Sequence, residues 1–246
     1  MSRTISWFSC GAASAVATKL AIANSDDVVV AYCEVKEEHP DNKRFLKECE
    51  EWFGQEIVVL KNDKFDGSIY NVFEKRRIIT TPYGAPCTML LKKEVRKNFE
   101  KPTDRQVFGY TVEEEHRLDR FIDANNDVDV WAILIERGLT KNDCLAMLNE
   151  AGIELPEMYK LGYINNNCIG CVKGGMGYWN KIRVDFPLQF RRAAELERKL
   201  GCTILKDKNG QLYLDELDAS RGVYESEHDI ECGIFCHMAK DEYEKS

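Results

Sequence analysis

Thr4-Ile5-Ser6-Trp7-Phe8-Ser9-Cys10-Gly11-Ala12-Ala13-Ser14-Ala15-Val16-Ala17 is the stretch that decides the fold of this chain. A short apolar run ends in small residues, and an apolar helical pattern follows, which predicts a strand, a tight loop and a helix. The first turn of such a helix offers N–H groups and a positive dipole end to a phosphate or sulfate. The spacing is neither Gly-x-Gly-x-x-Gly nor Gly-Lys-Ser/Thr, and an ordinary βα turn packed with small residues stays open as an alternative.

Alternating strand and helix patterns follow this stretch. Residues 27–33 and 56–60 are apolar runs that predict buried strands, and Asn42–Phe53 between them has the spacing of a helix lying on a sheet. The order βαβαβ predicts an α/β fold with a doubly wound, mainly parallel sheet. At the carboxyl end of the second strand, Glu34 and His39 are candidates for contacts to a ribose or base.

The rest of the chain adds further elements. We predict a strand at 106–110, helices at 129–136, 141–151 and 186–200, a helix that starts at Cys87, and a hairpin over 203–214 with an Asn-Gly turn. Thr111 is a plausible N-cap, with Glu114 completing a capping box. The simplest division is a nucleotide-binding domain with a cysteine cluster at 1–185, followed by a C-terminal extension at 186–246 with a helix, a hairpin and a cysteine-containing tail.

Composition narrows the class of protein. The chain of 246 residues has 34 basic and 42 acidic side chains, a formal charge of −8 that implies no broad face for a polyanion. No apolar run approaches the roughly 20 residues needed to cross a bilayer, and the N-terminus lacks the layout of a signal peptide. We therefore expect a cytoplasmic protein without membrane contact, whose oligomeric state, a homodimer included, the sequence leaves open.

Ten cysteines in a reducing compartment indicate metal or redox chemistry. They are Cys10, Cys33, Cys49, Cys87, Cys144, Cys168, Cys171, Cys202, Cys232 and Cys236. Only Cys168/Cys171 and Cys232/Cys236 are closely spaced pairs. A two-residue spacer lets both thiolates of Cys168 and Cys171 bind one metal centre, whereas Cys49 is best explained as core.

The first loop resembles the PP-loop, the Ser-Gly-Gly-x-x-Ser turn of adenine nucleotide alpha hydrolases and sulfonucleotide reductases. Cys10 stands in place of the first Gly, and Ala13 replaces the acidic residue that ATP-cleaving members often carry. Three later segments resemble phosphoadenylyl-sulfate (PAPS) and adenylyl-sulfate (APS) reductases. They are the loose arginine segment with Arg117 and Arg120, the stretch from Leu155 to Cys171, and Glu231-Cys232-Gly233-Ile234-Phe235. The second of these resembles the family's Pro…Leu-Tyr…Gly-Tyr…Cys-x-x-Cys pattern and has Met158-Tyr159 in place of Leu-Tyr.

The resemblance implies a set of site residues. For the adenine nucleotide (PAPS, APS or ATP) it implies Ser9, Cys10, Gly11, Ala12, Ser14, Glu34, Lys92 and Arg117. For a [4Fe–4S] cluster, with zinc as its rival, it implies Cys87, Cys168 and Cys171, with Cys236 as a fourth ligand unless that position is open. Cys232 is implied to be the nucleophile. A role for Cys232 as a metal ligand with Cys236, and with His228 or His237, stays open.

Three functions follow from this resemblance. In the first, a sulfonucleotide reductase, the Cys232 thiolate attacks the sulfate sulfur and a thioredoxin- or glutaredoxin-type thiol donor releases sulfite. In the second, an ATP-dependent, iron–sulfur-dependent transferase passes sulfur to a nucleic acid or a small molecule. Three matched cysteines favour the transferase, and Ala13 argues against it. In the third, a non-enzymatic module binds a nucleotide or metal without turnover.

Overall fold

The computed structural model describes residues 3–81 and 84–227. Five parallel strands form one sheet in the order β3-β2-β1-β4-β5. These strands are β1 (Thr4–Phe8), β2 (Val28–Cys33), β3 (Ile57–Leu60), β4 (Arg105–Val107) and β5 (Asp129–Trp131), and an antiparallel hairpin pairs β6 (Leu205–Asp207) with β7 (Gly210–Leu212). The chain first builds the sheet outward from β1 to β3 and then crosses to the other side of β1, so the strand order reverses between β1 and β4.

The α-helices are α1 (Ala12–Asn24), α2 (Asn42–Phe53), α3 (Ile69–Arg76), α4 (Pro86–Thr88), α5 (Glu94–Phe99), α6 (Glu115–Ala124), α7 (Ile133–Glu136), α8 (Lys141–Glu150), α9 (Glu157–Lys160), α10 (Met176–Asp185) and α11 (Pro187–Leu200). A π-helical stretch, Met89–Lys93, joins α4 to α5, and short 3₁₀ turns lie at Asp63–Phe65, Val112–Glu114, Leu214–Glu216 and Tyr224–Ser226. None of the helices within the two described ranges is both long enough and apolar enough to cross a bilayer.

Apolar layers cover both faces of the sheet. Alternate strand residues such as Phe8 and Val107 pack with α1, α2, α7 and α8 on one face. Ile5, Trp7 and Ala31 face the opposite layer, which includes residues of α5 and α6. An α/β fold with a parallel sheet is therefore confirmed. The predicted bounds of α2 are also confirmed, because the helix covers Asn42–Phe53. The predicted core position of Cys49 is confirmed by its complete burial.

Three local predictions were wrong in detail. Residues 129–136 form β5 and the short helix α7 instead of one helix, because β5 pairs along β4 at the edge of the sheet. The predicted strand at 106–110 ends at Val107, after which the chain leaves the sheet and crosses the start of α1. In the hairpin, Asp207 pairs with Gly210, so Lys208 and Asn209 are the two turn residues.

The C-terminal elements share a core with the preceding helices. Trp179 and Ile182 of α10 pack in one cluster with Phe190 of α11 and Leu212 of the hairpin. The predicted division at residue 185 therefore passes between two helices of a single hydrophobic cluster. The division into a nucleotide-binding domain and a C-terminal extension remains a prediction.

Gly109 brings the exit of β4 against the first turn of α1. A Cβ atom at this position would lie 2.6 Å from the backbone nitrogen of Ser14 and 2.8 Å from its Cα. Real Cβ atoms do not approach backbone atoms so closely, and a helix backbone cannot swing aside as a side chain can. Only glycine allows these two segments to meet at this distance.

We expect Gly109→Ala to lower the free energy of unfolding by about 1–3 kcal/mol through overpacking. At roughly 2–4 °C per kcal/mol for a chain of this size, calorimetry should record a clear fall in Tm. Gly11→Ala is the matched control, because its Cβ would meet no atom nearer than the Tyr159 hydroxyl at 3.4 Å. Equal Tm values for the two variants would contradict the close approach.

Glu197 of α11 anchors the hairpin region through its carboxylate. The side chain is fully buried and accepts hydrogen bonds from the backbone N–H groups of Ile204 (2.6 Å) and Leu214 (2.7 Å). Burial raises the pKa of this carboxyl to about 7, although the two N–H donors act in the opposite direction. The folded protein thus holds a proton that the unfolded chain, with an ordinary glutamate pKa, loses at lower pH.

We expect the free energy of unfolding to fall by up to roughly 3 kcal/mol as the pH rises from about 4.5 to 7. Over this range the Glu197 carboxyl stays protonated in the folded protein but loses its proton in the unfolded chain, so the rising pH favours the unfolded state. Urea unfolding at several pH values measures the slope. Glu197→Gln should remove this contribution, whereas the exposed Glu195→Gln on the same helix should keep it. A Glu197→Gln profile with the wild-type slope would refute this assignment.

Candidate functional site

The loop after β1 is held in shape by the Ser14 hydroxyl. Its oxygen accepts hydrogen bonds from the backbone N–H of Ser9 (3.0 Å) and from the Ser9 hydroxyl (3.1 Å), and it donates to the carbonyl of Gly11 (2.9 Å). Helix α1 starts directly after Gly11, so its first N–H groups lie beside this loop. The prediction of a strand, a tight loop and a helix is confirmed, with Ser9, Gly11 and Ser14 at the turn.

Cys10 adopts the left-handed backbone conformation with φ of 55°, which non-glycine residues rarely adopt. Its side chain is completely buried in the core beneath the loop, and burial raises the pKa of the thiol well above its ordinary value. The Cys10 side chain therefore does not face the cavity. Only the backbone of Cys10 is left for the predicted contact to a nucleotide. Its carbonyl oxygen instead accepts a hydrogen bond from the Asn166 amide at 2.7 Å.

A cavity of about 110 Å³ opens at the carboxyl ends of β1 and β4, where the strand order reverses. Ligands of open α/β sheets bind at this position. We call it the switch-point cavity. Its lining residues are Ser9, Gly11, Ala13, Ser14, Lys92, Gly109, Thr111, Glu114, Arg117, Lys141, Tyr159, Asn165, Asn166 and Asn167.

Basic side chains surround this cavity. Lys92 is nearly buried, and its ammonium group lies 3.3 Å from the buried carboxylate of Glu38. Arg117 forms an ion pair with Glu114, and both residues line the cavity. Lys141 also lines the cavity, so three cations stand against the carboxylates of Glu114 and Glu38, and the positive balance that is left favours an anionic ligand.

Lys141 and Tyr159 line the cavity together, with the Lys141 ammonium 5.9 Å from the centre of the Tyr159 ring. The Lys141 ammonium donates to the Asn165 side-chain oxygen at 2.6 Å and to the Ile164 carbonyl, and burial lowers the pKa of this lysine. The Tyr159 hydroxyl accepts the backbone N–H of Ala12 at 3.4 Å, and burial raises the pKa of this tyrosine to about 12. The Ala12 N–H is thus bonded to Tyr159, and Ala12 is not among the lining residues found in the described part of the chain, so its contact to a nucleotide remains a prediction.

Asn166 connects three loops through a single amide. Its nitrogen donates to the Cys10 carbonyl and, at 2.8 Å, to the Asn42 side-chain oxygen, and Asn42 in turn donates to Glu38 at 3.0 Å. A buried polar network therefore runs from the first loop through the start of α2 to the Lys92–Glu38 pair. The Asn166 side-chain oxygen is buried and has no hydrogen-bond partner among the described residues.

Glu34 lies away from the switch-point cavity. Its backbone N–H donates to the Leu60 carbonyl at 2.8 Å beyond β2, and Glu34 is not among the lining residues found in the described part of the chain. The His39 ring packs edge-on to Phe186 with centroids 5.9 Å apart. Neither residue is brought to the cavity with the first loop.

Cys87, Cys168 and Cys171 are all buried, but they belong to two hydrophobic clusters, and Cys171 packs in the cluster of α10 and α11. Cys87 and Cys168 belong to one hydrophobic cluster with Val35, which follows β2, and the backbone N–H of Ile169 donates to the Glu37 carbonyl at 2.8 Å. The Tyr178 hydroxyl shapes the Cys-x-x-Cys turn. It donates to the Cys168 carbonyl (3.1 Å) and accepts the N–H groups of Gly170 (3.1 Å) and Cys171 (2.9 Å).

The fit of these cysteines to a metal centre is incomplete. Over residues 3–81 and 84–227, no group of three or more Cys, His, Asp or Glu side chains is arranged to hold a metal ion. The predicted fourth ligand Cys236, the predicted nucleophile Cys232, and His228 and His237 lie outside the described residues. The [4Fe–4S] cluster and its zinc rival therefore remain predictions, which iron and zinc assays of anaerobically purified protein would separate.

Sequence reasoning missed several residues of the cavity. The sequence predicts Lys141 only as the start of a helix and contains Tyr159 and Asn166 only as parts of a longer motif, yet all three line the cavity. The Asn-rich run before Cys168 was the available signal, because three adjacent amides in a turn offer more polar groups than a turn requires. The Thr111–Glu114 capping box is confirmed, with the Thr111 N–H donating to the Glu114 carboxylate at 3.2 Å.

Comparison with known proteins gives one distant relative. An uncharacterized protein of Methanocaldococcus jannaschii is 24% identical over 205 residues, covering 79% of this chain and 47% of that protein. The chain thus spans about half the length of the curated relative that it matches. No family model and no solved structure matches the chain.

Ser14→Ala removes the hydroxyl that closes the first loop. We expect it to lower the free energy of unfolding by about 1–2 kcal/mol and to weaken binding of an anionic ligand several-fold, because Ser9 and Gly11 lose a shared partner. Thermal unfolding and titration with inorganic sulfate or pyrophosphate measure the two effects. Ser25→Ala, at the opposite end of α1, should leave anion binding unchanged; equal loss in both variants would contradict the assignment.

Proposed function

We propose that this protein is a sulfonucleotide reductase-like enzyme of the adenine nucleotide alpha hydrolase (PP-loop) superfamily. The switch-point cavity would hold the phosphosulfate end of PAPS or APS between the first loop and the side chains of Lys92, Arg117 and Lys141. Helix α1 adds N–H groups and the positive end of its dipole at the same point. The cations offset the charge of an anion that the acidic surface of the protein would otherwise repel.

One observation carries this proposal: the loop that bears the Cys-x-x-Cys pair also lines the anion-suited cavity. Asn166 and Asn167 lie in the cavity wall, and Cys168 is the next residue in the chain. On the other side, Cys87 and Lys92 lie on one continuous helical run that brings the lysine to the cavity. Chain connectivity thus puts the Cys-x-x-Cys turn next to the anion-suited cavity, which supports the proposal, while no cysteine is among the lining residues found in the described part of the chain.

In the proposed reaction the Cys232 thiolate attacks the sulfate sulfur of the bound nucleotide. The bond between that sulfur and the bridging phosphate oxygen breaks, and the adenosine phosphate leaves with the electron pair. The product on the enzyme is a thiosulfonate, Cys–S–SO₃⁻. One thiol of a dithiol donor then attacks the cysteine sulfur, which releases sulfite and leaves a mixed disulfide between Cys232 and the donor. The second thiol of the donor breaks this bond, which returns the Cys232 thiol and leaves the donor as a disulfide. No step of this scheme uses a metal centre.

The residues of the cavity have separate tasks in this scheme. Lys92, Arg117 and Lys141 would stabilise the negative charge that develops on the leaving phosphate oxygen. The Ser9 and Ser14 hydroxyls, which are hydrogen-bonded to each other, would keep the first loop in the shape that faces the anion. Glu38 and Glu114, each paired with one of the cations, would hold those side chains in place before the substrate binds.

The test uses anaerobically purified protein with PAPS or APS and a dithiol such as reduced thioredoxin. We expect sulfite and the matching adenosine phosphate in equal amounts, and a loss of turnover of at least about a thousandfold in Cys232→Ser, because the nucleophile is gone. Cys202→Ser is the matched control and should retain activity. Sulfite formation by Cys232→Ser at the wild-type rate would disprove the assigned nucleophile.

The same assays separate the alternative. Release of pyrophosphate or AMP from ATP on addition of RNA or DNA, without sulfite from either sulfonucleotide, would select an ATP-dependent sulfur transferase. The count of three matched cysteines favours that enzyme class. Nucleotide binding without any turnover would instead support the third function, a module that binds a nucleotide without catalysing a reaction.

A further inference from the structure

A second cavity lies between the loop after β2, the start of α3 and the first half of α11. Its volume is about 420 Å³, compared with about 110 Å³ for the switch-point cavity. Small-molecule sites usually measure about 300–1,000 Å³, so this cavity is large enough for a small organic ligand. Most side chains of its wall are polar or charged. We call it the α3–α11 cavity.

Arg192 of α11 is held at this cavity by a buried aromatic ring. The central carbon of its guanidinium lies 3.7 Å from the centre of the Tyr70 ring. A guanidinium stacked in this way keeps the N–H groups at its rim available for a carboxylate. Within residues 3–81 and 84–227, Arg192 has no hydrogen bond or ion pair, and neither has Gln189, which lines the cavity one helical turn earlier.

Glu37 brings a negative charge to the same cavity. Its carboxylate accepts hydrogen bonds from the Ser68 hydroxyl at 2.7 Å and from the backbone N–H of Ile69 at 2.9 Å. Both donors are uncharged, and a carboxylate offers about four acceptor positions in all. Glu37 therefore keeps its charge and further acceptor positions for a ligand.

The other charged side chains of the wall are already paired. Lys36 forms an ion pair with Asp66, which also receives the Lys61 ammonium at 2.6 Å. Glu38 is buried and lies 3.3 Å from the Lys92 ammonium. These groups neutralise one another and leave the charge balance of the cavity to one carboxylate and one guanidinium.

The two remaining charges, Glu37 and Arg192, lie on either side of one hydroxyl. Burial raises the pKa of Tyr70 to about 12, while Arg192 acts against this rise and Glu37 adds to it. Yet the two charges form no ion pair with each other in the described part of the chain. A ligand with an oxyanion and an ammonium group matches both, whereas a simple anion or cation meets one like charge.

Glu38 lies between this cavity and the switch-point cavity. It lines the first, and it pairs with Lys92, which lines the second. The two cavities are therefore neighbours connected by one ion pair. Binding of pyrophosphate at the switch-point cavity is thus a check that a substitution in the α3–α11 cavity has left this part of the fold intact.

We propose that the α3–α11 cavity binds a free α-amino acid, with its carboxylate on Arg192 and Gln189 and its ammonium group on Glu37. Both charges of the wall flank a single side chain, so the two charged groups of the ligand must be close together, as they are in an α-amino acid. The cavity leaves room for the ligand's side chain beside Pro40 and Ile169. This site is separate from the proposed reductase site and does not depend on that activity.

The experiment titrates the full-length protein with each of the protein L-amino acids in turn and follows binding by isothermal titration calorimetry. We expect at least one of them to bind with a Kd of about 1 mM or lower. Arg192→Gln and Glu37→Gln should each weaken this binding at least about tenfold, because each removes one charge-assisted contact. Arg191→Gln is the matched control, since this neighbouring arginine is exposed and is not among the lining residues of the described ranges.

Two derivatives of the amino acid that binds best test the same contacts without changing the protein. Its carboxamide lacks the carboxylate, so Arg192→Gln should weaken binding of this derivative no further. Its N-acetyl form lacks the ammonium group, so Glu37→Gln should have no further effect on that one. Both derivatives should bind the wild type at least about tenfold more weakly than the parent amino acid.

Each outcome decides the proposal. Failure of every amino acid to bind, or equal affinities in Arg191→Gln and Arg192→Gln, would overturn it. If a variant also loses pyrophosphate binding, the derivatives decide, and wild-type protein that binds them as tightly as the parent amino acid would reject the site. Amino-acid binding that depends on Arg192 in a protein that forms no sulfite would uphold this site and reject the proposed reductase activity.

Discussion

The close approach of β4 to the first turn of α1 is the constraint on which the site depends. Gly109 has no side chain, and it is this feature that lets the exit of β4 lie against the backbone of Ser14. The two loops at the point where the strand order reverses are thereby brought to a common wall. Arg117 and Glu114, which follow β4, can then face the loop that follows β1. A larger residue at 109 would separate the two halves of the cavity.

A second constraint is the polar network beneath the first loop. Cys10 turns the chain in a left-handed conformation with its side chain in the core, and its carbonyl is held by Asn166. The network continues through Asn42 to Glu38 and Lys92. Buried charges are stable only with partners, so Glu38 keeps Lys92 in place at the cavity. The network also couples the cysteine loop to the first loop, because Asn166 lies two residues before Cys168.

The electrostatics of the site differ from those of the whole chain. The formal charge of −8 would repel an anion at long range, but such fields are screened over about 8–10 Å at physiological ionic strength. Within the cavity, Lys92, Arg117 and Lys141 act at short range and in partial burial, where charge interactions are stronger. The site can therefore favour an anionic group although the net charge of the protein is negative.

The sequence by itself determined the local elements. Periodicity placed α2 exactly, the small-residue turn before α1 identified Ser9, Gly11 and Ser14, and the capping box at Thr111 was correct, because each of these depends on neighbours in the chain. Only the tertiary structure decided that Lys141, Tyr159 and Asn166 face the first loop, that the Cys10 side chain is turned into the core, and that residues 129–131 pair as an edge strand. The physical reason is that the strand order sets which distant loops meet, and local patterns contain no information about that order.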